Sequence, residues 1–382
     1  MENLQSELDR AVEQGELPFV VATVANRDGV VFEGSAGSAA NGRDAGMDTM
    51  FRIFSMTKAI GSTAAAILVD RGKLDPGEPV GNILPEWKEL RVLEGLGDSG
   101  PILREPATEA TVRHLATHTS GLEYEFWNAD VAAYMEATEH PSVLAGTKSS
   151  LNYPLMTDPG TRWGYGPSTD WLGRVVEAVD GRRIDSFCTE EIFEPLGMTD
   201  TVFELSEAQT ARLADVSIRG EDGTFGPMEI APPPNPEVYG MGHALYSAPK
   251  DYIRFCQMVL NNGMHGGKQI LGPAAMSLMM EDQMGGLSFE KMTSSSPLVS
   301  NVDMFGGAPT GHTFGFLQNR ADVPGRRRAG SLGWAGVLNS HYWIDPSTGI
   351  AAVFMTQSLP FVEKPLLDFY GRFETAVHQQ AS

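Results

Sequence analysis

Two β-rich segments at opposite ends of the 382-residue chain constrain its fold more than any other feature. Near the N-terminus, apolar runs at 20–24 and 30–32 flank a four-residue turn whose Asp28-Gly29 pair supplies the positive φ that a tight turn needs. Near the C-terminus, runs at 340–344 and 350–356 flank a Pro-Ser-Thr-Gly turn. Strands at both ends with helical patterns between them predict one sheet that is closed by the two ends of the chain.

The stretches outside the hairpins have helical patterns. Leu4, Leu8 and Val12 recur at a spacing of four, which predicts an amphipathic helix over 3–14. Residues 55–72 form a helical pattern rich in small side chains, which allow close packing against neighbours. Further helices are predicted at 171–180, 185–193, 250–262 and 366–377.

The domain organisation follows from these elements. We predict an α+β protein in which residues 1–80 and 300–382 form one domain, an antiparallel sheet flanked by helices, and residues 81–299 form a mostly helical insert. Two long loops, the proline-rich 232–236 and the glycine-rich 306–315, are typical of segments that rim a site. The insert is therefore expected to form the other wall of that site.

The charge balance of the chain narrows its class of partner. Lys and Arg number 28 against 49 Asp and Glu, a formal net charge of −21, which repels phosphate backbones and anionic lipid headgroups. Neither nucleic acid nor a membrane surface is expected as a partner. The expected partner is a small molecule. No cofactor is expected, and the oligomeric state is left open.

The cysteines and the N-terminal segment indicate the compartment. Cys188 and Cys256 form neither a metal knuckle nor a disulfide framework, which fits a reducing compartment, and both are expected to be buried thiols. Residues 1–20 lack the apolar core of a secretory signal, and no run of 18 apolar residues occurs. A cytoplasmic location is therefore expected.

The first candidate for chemistry is Ser55-Met56-Thr57-Lys58, a Ser-x-x-Lys motif that opens a predicted helix. One helical turn brings Lys58 under Ser55. A serine hydroxyl is a weak nucleophile at neutral pH, and a lysine can act as its base if burial among small apolar side chains depresses the lysine pKa. The N–H groups at the helix N-terminus would favour a developing oxyanion. The motif therefore predicts a nucleophilic serine.

The same motif occurs twice more, at Ser247/Lys250 and at Ser288/Lys291. Ser247 precedes a proline and a helical pattern, so it is interpreted as a helix N-cap. The other pair follows two glycines in a polar loop. Because neither pair is expected to have a buried lysine, Ser55 is the candidate.

Three segments together resemble the serine β-lactamase and penicillin-binding superfamily, most of all its class C-like branch. They are Phe54-Ser55-Met56-Thr57-Lys58, Leu115-Ala116-Thr117-His118-Thr119-Ser120-Gly121-Leu122 and Asp158-Pro159-Gly160-Thr161-Arg162-Trp163-Gly164-Tyr165. Residues 194–198 and 343–346 extend the resemblance over nearly the whole chain. It implies a β-lactamase/transpeptidase-like fold, with an acyl-enzyme formed on Ser55 and Lys58 as the base.

Tyr165 matches the tyrosine that opens a Tyr-x-Asn motif in this family. The resemblance implies that its phenol relays protons between the lysine, the serine, the leaving group and the deacylating water. Here the motif reads Tyr165-Gly166-Pro167, so the family asparagine is absent. That departure weakens the case for recognition of a lactam amide.

The Lys-Thr-Gly motif of the family has no counterpart in this chain, which reads Ser-Leu-Gly-Trp-Ala-Gly-Val over 331–337. In the family, that lysine binds the carboxylate of the substrate. Its loss removes a charge-assisted hydrogen bond of roughly 1.5–3 kcal/mol. The site is therefore expected to prefer neutral substrates.

Trp334-Ala335-Gly336 resembles the Trp-Gly-Gly of family VIII carboxylesterases, which hydrolyse short-chain esters on this fold. The resemblance implies that these three residues belong to the substrate pocket. It also implies an oxyanion hole formed by the backbone N–H groups of Ser55 and Val337. The tryptophan is interpreted as a pocket wall.

These observations predict a serine carboxylesterase that hydrolyses short-chain, neutral carboxylic esters through an acyl-enzyme on Ser55. A β-lactamase or an acyltransferase of the same fold is the first alternative, because an acyl-enzyme can pass its acyl group to water or to another alcohol. A non-catalytic binding module is the alternative from a different class. The presence of Ser55, Lys58 and Tyr165 together argues against it.

A rival enzyme class is indicated by Ala-Gly-Ser-Leu-Gly at 329–333, which approaches the nucleophile elbow of α/β-hydrolases. Ser331 would be the nucleophile, with Asp345 or Asp368 and His378 downstream in the required order. An elbow needs a strand, a turn and a helix, whereas Ser331 leads into a predicted hairpin. The hydrolase elbow is therefore disfavoured.

Three further motifs are interpreted as structural. His114 and His118 have the spacing of a helical metal pair, but the glutamate of His-Glu-x-x-His is missing, so no metal is expected. Residues 95–100 match a dinucleotide fingerprint, but Pro101 follows where a helix should begin, which predicts a loop. The arginines at 326–328 are expected to be a solvated run of charge.

Overall fold

The computed structural model describes residues 2–230, 232–303 and 307–381. The helices are α1 (Glu2–Glu13), α2 (Thr57–Asp70), α3 (Val80–Ile83), α4 (Val112–Ala116), α5 (Ala129–Thr138), α6 (Ser168–Asp180), α7 (Ile184–Cys188), α8 (Glu194–Leu196), α9 (Glu207–Thr210), α10 (Pro249–Leu260), α11 (Pro273–Met280) and α12 (Lys364–Ala381). The strands are β1 (Phe19–Asn26), β2 (Val30–Ala40), β3 (Arg43–Asp44), β4 (Phe51–Arg52), β5 (Val92–Gly97), β6 (Gly100–Arg104), β7 (Val216–Arg219), β8 (Phe225–Met228), β9 (Tyr246–Ser247), β10 (Met264–His265), β11 (Lys268–Gln269), β12 (Thr310–His312), β13 (Leu317–Asn319), β14 (Leu332–Gly336), β15 (Ser340–Asp345), β16 (Ile350–Met355) and β17 (Ser358–Leu359). Short 3-10 turns lie at 54–56, 85–89, 143–145 and 149–151, and a π-helical turn lies at 189–193.

The central sheet joins the two ends of the chain. Its eight strands are antiparallel and run in the order β12-β13-β14-β15-β16-β1-β2-β3. The first strand pairs with β16, so that Val21 lies opposite Met355, and with β2 on its other side. The predicted sheet, closed by both ends of the chain, is confirmed.

Helices cover both faces of this sheet. Two neighbouring residues of β15 show which helix packs on which face. Side chains alternate along a strand, so Tyr342 and Trp343 point to opposite faces. Tyr342 contacts Tyr252 of α10, whereas Trp343 contacts Phe373 of α12. All residues of β14, β15 and β16 are buried as a result, which explains the continuous apolar runs of β14 and β16.

Residues 81–299 contain most of α3 and all of α4 to α11, as predicted for a mostly helical region, but their described part also contains the seven short strands β5 to β11. The segment that resembles a dinucleotide fingerprint is part of the β5–β6 hairpin, in which Gly97 pairs with Gly100. Strand β9 pairs with β4, which ties the insert to the N-terminal part of the chain. Gly306, the first residue of the predicted glycine-rich loop, lies outside the described residues. The proposed domain boundaries stay a prediction.

Both cysteines are free and buried, as predicted: Cys188 ends α7, and Cys256 lies within α10. Burial raises the pKa of both thiols. Over the described ranges, no helix is both long enough and apolar enough to cross a membrane.

The predicted solvated run of arginines at 326–328 is wrong for its central residue. Arg327 is buried, its Nε lies 2.5 Å from Glu374 Oε1, and its guanidinium also donates to Tyr370 Oη at 2.5 Å. Arg326 donates to the second oxygen of the same carboxylate at 2.6 Å. The sequence pattern missed this pairing because Glu374 is on α12, far along the chain.

Glu374→Ala is expected to lower the free energy of unfolding by about 3–5 kcal/mol, because it removes the carboxylate that balances the buried Arg327 charge. Burial alone would raise the pKa of Glu374, but the charges of Arg327 and Arg326 hold it below its ordinary value. This contribution is therefore complete above the ordinary glutamate pKa and is lost as pH falls through the lowered one. Urea unfolding at pH 7 and at acid pH measures both effects. Glu190→Ala, which breaks an exposed pair, is the control and should cost less than about 1 kcal/mol.

Candidate active site

Ser55 lies where a strand gives way to a helix. Strand β4 ends at Arg52, the 3-10 turn occupies 54–56, and α2 begins at Thr57. Phe54 has a φ of +40°, a conformation that is uncommon for a residue other than glycine. The predicted junction is confirmed, although the regular helix begins two residues after Ser55 because the tighter turn precedes it.

Lys58 is buried beneath Ser55 and has three polar neighbours. Its Nζ lies 3.3 Å from Ser55 Oγ, 2.9 Å from the carbonyl oxygen of Gly242 and 3.1 Å from Tyr124 Oη. A neutral amine has two N–H donors and one lone pair. The Gly242 carbonyl and the Tyr124 hydroxyl can take the two donors, which leaves the lone pair for the Ser55 proton.

Burial shifts the pKa values of Lys58 and Tyr165 in opposite directions, because it favours the neutral form of each group. It lowers the pKa of Lys58 to about 8, although the charge of Asp170 acts against this shift. It raises the pKa of Tyr165 above its ordinary value, despite hydrogen bonds with Ser55 and Trp334. Near neutral pH, Lys58 is therefore the group that gains and loses a proton, and the phenol stays protonated.

Trp334 contacts the phenol directly. Its Nε1 donates to Tyr165 Oη at 2.9 Å, and the two rings lie 4.9 Å apart. An indole N–H can only donate, so the phenol oxygen accepts this bond and keeps its own proton for Ser55 Oγ. The predicted pocket wall is thus also a hydrogen-bond donor to the tyrosine.

Strand β14 brings the remaining predicted residues beside the Ser55 turn. A Cβ on Gly336 would lie 2.3 Å from the carbonyl oxygen of Ile53, so a glycine is needed for the strand to pass this close. Val337 follows directly and is half-buried. The methyl group of Ala335 lies on the opposite face of the strand from the Trp334 ring, because side chains alternate.

Tyr124, Gly242 and Asp170 complete the surroundings of Lys58, and sequence reasoning missed all three. Tyr124 follows the family-like segment at 115–122 by two residues, which is a weak signal. The carbonyl of Gly242 carries no side-chain signal at all. Asp170 is fully buried in the first turn of α6, five residues after Tyr165, and the burial of its carboxylate is visible only in three dimensions.

The other Ser-x-x-Lys pairs lack this arrangement. Ser247 Oγ lies 2.8 Å from Thr201 Oγ1, whereas Lys250 pairs with Asp200 at 2.8 Å. Ser247 is also not the N-cap that was predicted, since Ala248 occupies that position and α10 starts at Pro249. In the third pair, the exposed Ser288 accepts a hydrogen bond from Arg320. Neither serine lies against a buried lysine.

The hydrolase elbow and the metal pair are also not formed. Ser331 Oγ donates to the carbonyl of Arg328 at 2.7 Å and leads into β14 instead of a helix. His118 lies beyond the end of α4 with a φ of +57°, so it does not share a helix with His114. Across the ranges that the structure describes, no three His, Cys, Asp or Glu side chains are placed to hold a metal ion.

The fold and these side chains together define a protein of the serine β-lactamase and penicillin-binding superfamily. The chain matches the Beta-lactamase family over residues 4–376 and belongs to that family. The predicted superfamily and the predicted β-lactamase/transpeptidase-like fold are thereby confirmed.

Three known proteins give the most informative comparisons. Monacolin J acid methylbutanoyltransferase of Aspergillus terreus is 31% identical over 352 residues, which cover 87% of this chain and 83% of the relative. Lovastatin esterase of Penicillium rubens is 30% identical over 351 residues, with 88% and 86% covered. The unliganded structure of simvastatin synthase (LovD) from Aspergillus terreus superposes with a TM-score of 0.84 at 27% identity, covering 99% of this chain and 97% of that one. The family and these relatives support an enzyme of the β-lactamase fold, a serine hydrolase or acyltransferase.

Proposed function

We propose that this protein is a serine acyl-transfer enzyme: Ser55 takes the acyl group of a carboxylic ester and passes it to water or to an alcohol. The placement of Lys58 carries this proposal. Its Nζ is buried, 3.3 Å from Ser55 Oγ, and its two other neighbours can occupy both N–H groups of the neutral amine. The lone pair is therefore directed at the serine hydroxyl.

Acylation follows from the protonation states of these groups. Neutral Lys58 accepts the Ser55 proton as Oγ attacks the ester carbonyl carbon, and the negative charge on the carbonyl oxygen is stabilised by the N–H groups of Ser55 and Val337. As the carbon–oxygen bond to the leaving alcohol breaks, Tyr165 gives that oxygen its proton. Tyr165 then regains the proton that Lys58 took from Ser55, so both groups end the step in their starting protonation states.

Deacylation runs the same steps in reverse with a new hydroxyl. Water in that place gives hydrolysis, and an alcohol gives a new ester, with the same proton transfers in both cases. The relatives include a protein named as an acyltransferase and one named as an esterase, which supports both outcomes on this fold. Transfer to an alcohol is therefore proposed beside the carboxylesterase activity that the sequence predicts.

A cavity lined by His243, next to the Gly242 carbonyl that contacts Lys58, has room for an apolar group. Its volume is about 190 Å³, and rings of Phe203 and Tyr239 line it together with the prolines of the 232–236 loop. The carboxylate of Glu204 accepts hydrogen bonds from Tyr239 Oη and from the backbone N–H of Asn235, both at 2.8 Å, which fixes that loop. A cavity of about 150 Å³ holds a benzene ring, so a compact hydrocarbon group fits here.

The predicted preference for neutral substrates and the cytoplasmic location remain part of this proposal. Trp334 occupies the strand where the family carries its lysine, and its indole bonds to Tyr165 instead of offering a cation. The two buried thiols fit a reducing compartment.

Labelling with a fluorophosphonate, followed by peptide mapping, tests the nucleophile. The label is expected on Ser55. A label on Ser331 would support the α/β-hydrolase chemistry instead, and an unlabelled, folded protein would support a binding module. Turnover of p-nitrophenyl butyrate with and without added alcohol then separates hydrolysis from transfer, because transfer yields the new butyrate ester. Nitrocefin turnover exceeding that of the ester would favour a β-lactamase.

Tyr165→Phe is expected to lower kcat for p-nitrophenyl butyrate by about 10²-fold, because it removes the proton donor to the leaving oxygen. The ring and its packing are retained, so KM and the melting temperature should change little. Trp334→Phe is the matched comparison. It removes the hydrogen bond to the phenol and part of the packed indole but keeps the phenol, so it is expected to cost much less than the loss of the phenol itself. Wild-type kcat in Tyr165→Phe would remove the phenol from the mechanism.

A further inference from the structure

Asp170 is a fully buried carboxylate in the first turn of α6, five residues after Tyr165 in the chain. Its Oδ1 accepts the backbone N–H of Gly242 at 3.0 Å and lies 3.2 Å from His243 Nδ1. Within the described residues, its Oδ2 has no hydrogen-bond partner. An ionised carboxylate with an unpaired oxygen is costly to bury unless a positive charge lies near.

The backbone at 240–242 is shaped around this carboxylate. A Cβ on Gly240 would lie 2.3 Å from Asp170 Oδ1, and a Cβ on Gly242 would lie 2.4 Å from Oδ2. Any other residue at either position would displace the carboxylate or the turn. Residue 242 therefore bonds to Asp170 through its N–H and to Lys58 Nζ through its carbonyl, which lies 2.9 Å away.

Asp170 is the anion that acts on Lys58. The groups around the lysine are Ser55 and the Gly242 carbonyl, the phenols Tyr124 and Tyr165, the imidazole of His118, and the carboxylate of Asp170. Burial raises the pKa of both phenols and lowers the pKa of His118, so these three are neutral near pH 7. The charge of Asp170 also reaches Tyr124, Tyr153 and Tyr165, and His243 faces the carboxylate from the far side.

We infer that Asp170 is a positioning residue for the proposed acyl transfer: it holds residue 242 under Lys58 and supplies the buried negative charge that balances the protonated lysine. His243 supports it from the side of the 190 Å³ cavity, which that imidazole lines. The carboxylate therefore sets the pH range in which Lys58 is free to accept the Ser55 proton. This inference rests on the proposed function.

Asp170→Asn is the direct test, since the amide can still accept the Gly242 N–H but carries no charge. In the wild type, kcat/KM for p-nitrophenyl butyrate should rise with pH through about 8, where Lys58 loses its proton. Loss of the negative charge should move this rise to lower pH by about one unit. At pH 6, the variant should then reach about a tenfold larger fraction of its own plateau rate. If the carboxylate had a purely structural role, its replacement by an amide would not move the pH profile of kcat/KM to lower pH.

Asp251→Asn is the matched control. Asp251 is equally buried and is a hydrogen-bond acceptor for the 200–201 segment, so its variant should keep the pH curve of the wild type. His243→Ala is the second variant, because its half-buried side chain can be removed without opening the core. It should shift the rise in the same direction but by less, since water then screens Asp170.

Each outcome decides a different point. A folded Asp170→Asn protein whose rise stays at the wild-type pH, or moves up, overturns the inference. If that variant does not fold, an unmoved curve in His243→Ala overturns it. The proposed function fails separately, when the wild-type protein is not labelled on Ser55. Ser55 labelling together with an unmoved curve therefore rejects Asp170 alone.

Discussion

Ser55→Ala is expected to lower kcat for ester turnover by about 10³-fold or more, because it removes the atom that forms the acyl-enzyme. The half-buried hydroxyl is not part of the hydrophobic core, so the melting temperature should stay close to that of the wild type. The remaining groups can still bind an ester and polarise its carbonyl, so a small residual rate over water is expected. Burst-phase release of p-nitrophenol should disappear together with steady-state turnover.

Ser288→Ala is the matched control, since Ser288 begins another Ser-x-x-Lys motif but lies exposed beside Arg320. It should keep the wild-type rate. Turnover that survives Ser55→Ala at the wild-type level would show that the acyl group is carried elsewhere.

Lys58→Met is expected to lower kcat by roughly 10²–10⁴-fold through loss of the general base. Methionine is unbranched and fills much of the same space, so the packing of α2 should survive. Because burial lowers the pKa of Lys58 to about 8, the wild-type rate should rise between pH 6 and 9. The residual rate of the variant should lack this rise, since the group that titrates is gone.

The test of that second prediction is the whole pH profile of kcat/KM, not a single rate. Lys250→Met, at the half-buried lysine that pairs with Asp200, is the control for loss of a positive charge and should keep both the rate and the rise. A rise near pH 8 that persists in Lys58→Met would assign the titration to another group.

The sequence predicts much of the fold because its strongest patterns are local. The hairpins of β1–β2 and β15–β16 and the helices α1, α2, α6, α10 and α12 lie where periodicity places them. Strand β2 runs eight residues beyond the predicted end, through half-exposed small and polar residues that carry no apolar run. Residues 95–100 are predicted as a loop because Pro101 follows where a helix should begin. They belong instead to the β5–β6 hairpin, whose glycines interrupt the strand alternation. Packing, not propensity, fixes such segments.

The site is predictable to the extent that its parts are close in sequence. Ser55 and Lys58 are one helical turn apart, so their contact follows from helix geometry alone. Tyr165 and Trp334 are reached only through resemblance to a family, because nothing local places them beside Ser55. Neither helix geometry nor the family resemblance predicts the role of Asp170. Asp170 is linked to Lys58 through Gly242, and only the tertiary fold places that residue between them.

The pairing of the first strand with β16 has a consequence for how the chain is made. Met355 is synthesised 334 residues after its partner Val21, because 355 − 21 = 334. At a synthesis rate of about 5–20 residues per second, tens of seconds pass between the synthesis of β1 and that of β16. During that interval its open edge can pair with other nascent chains. The central sheet can therefore be completed only after the whole intervening stretch has been made, and until then β1 lacks its partner on the β16 side.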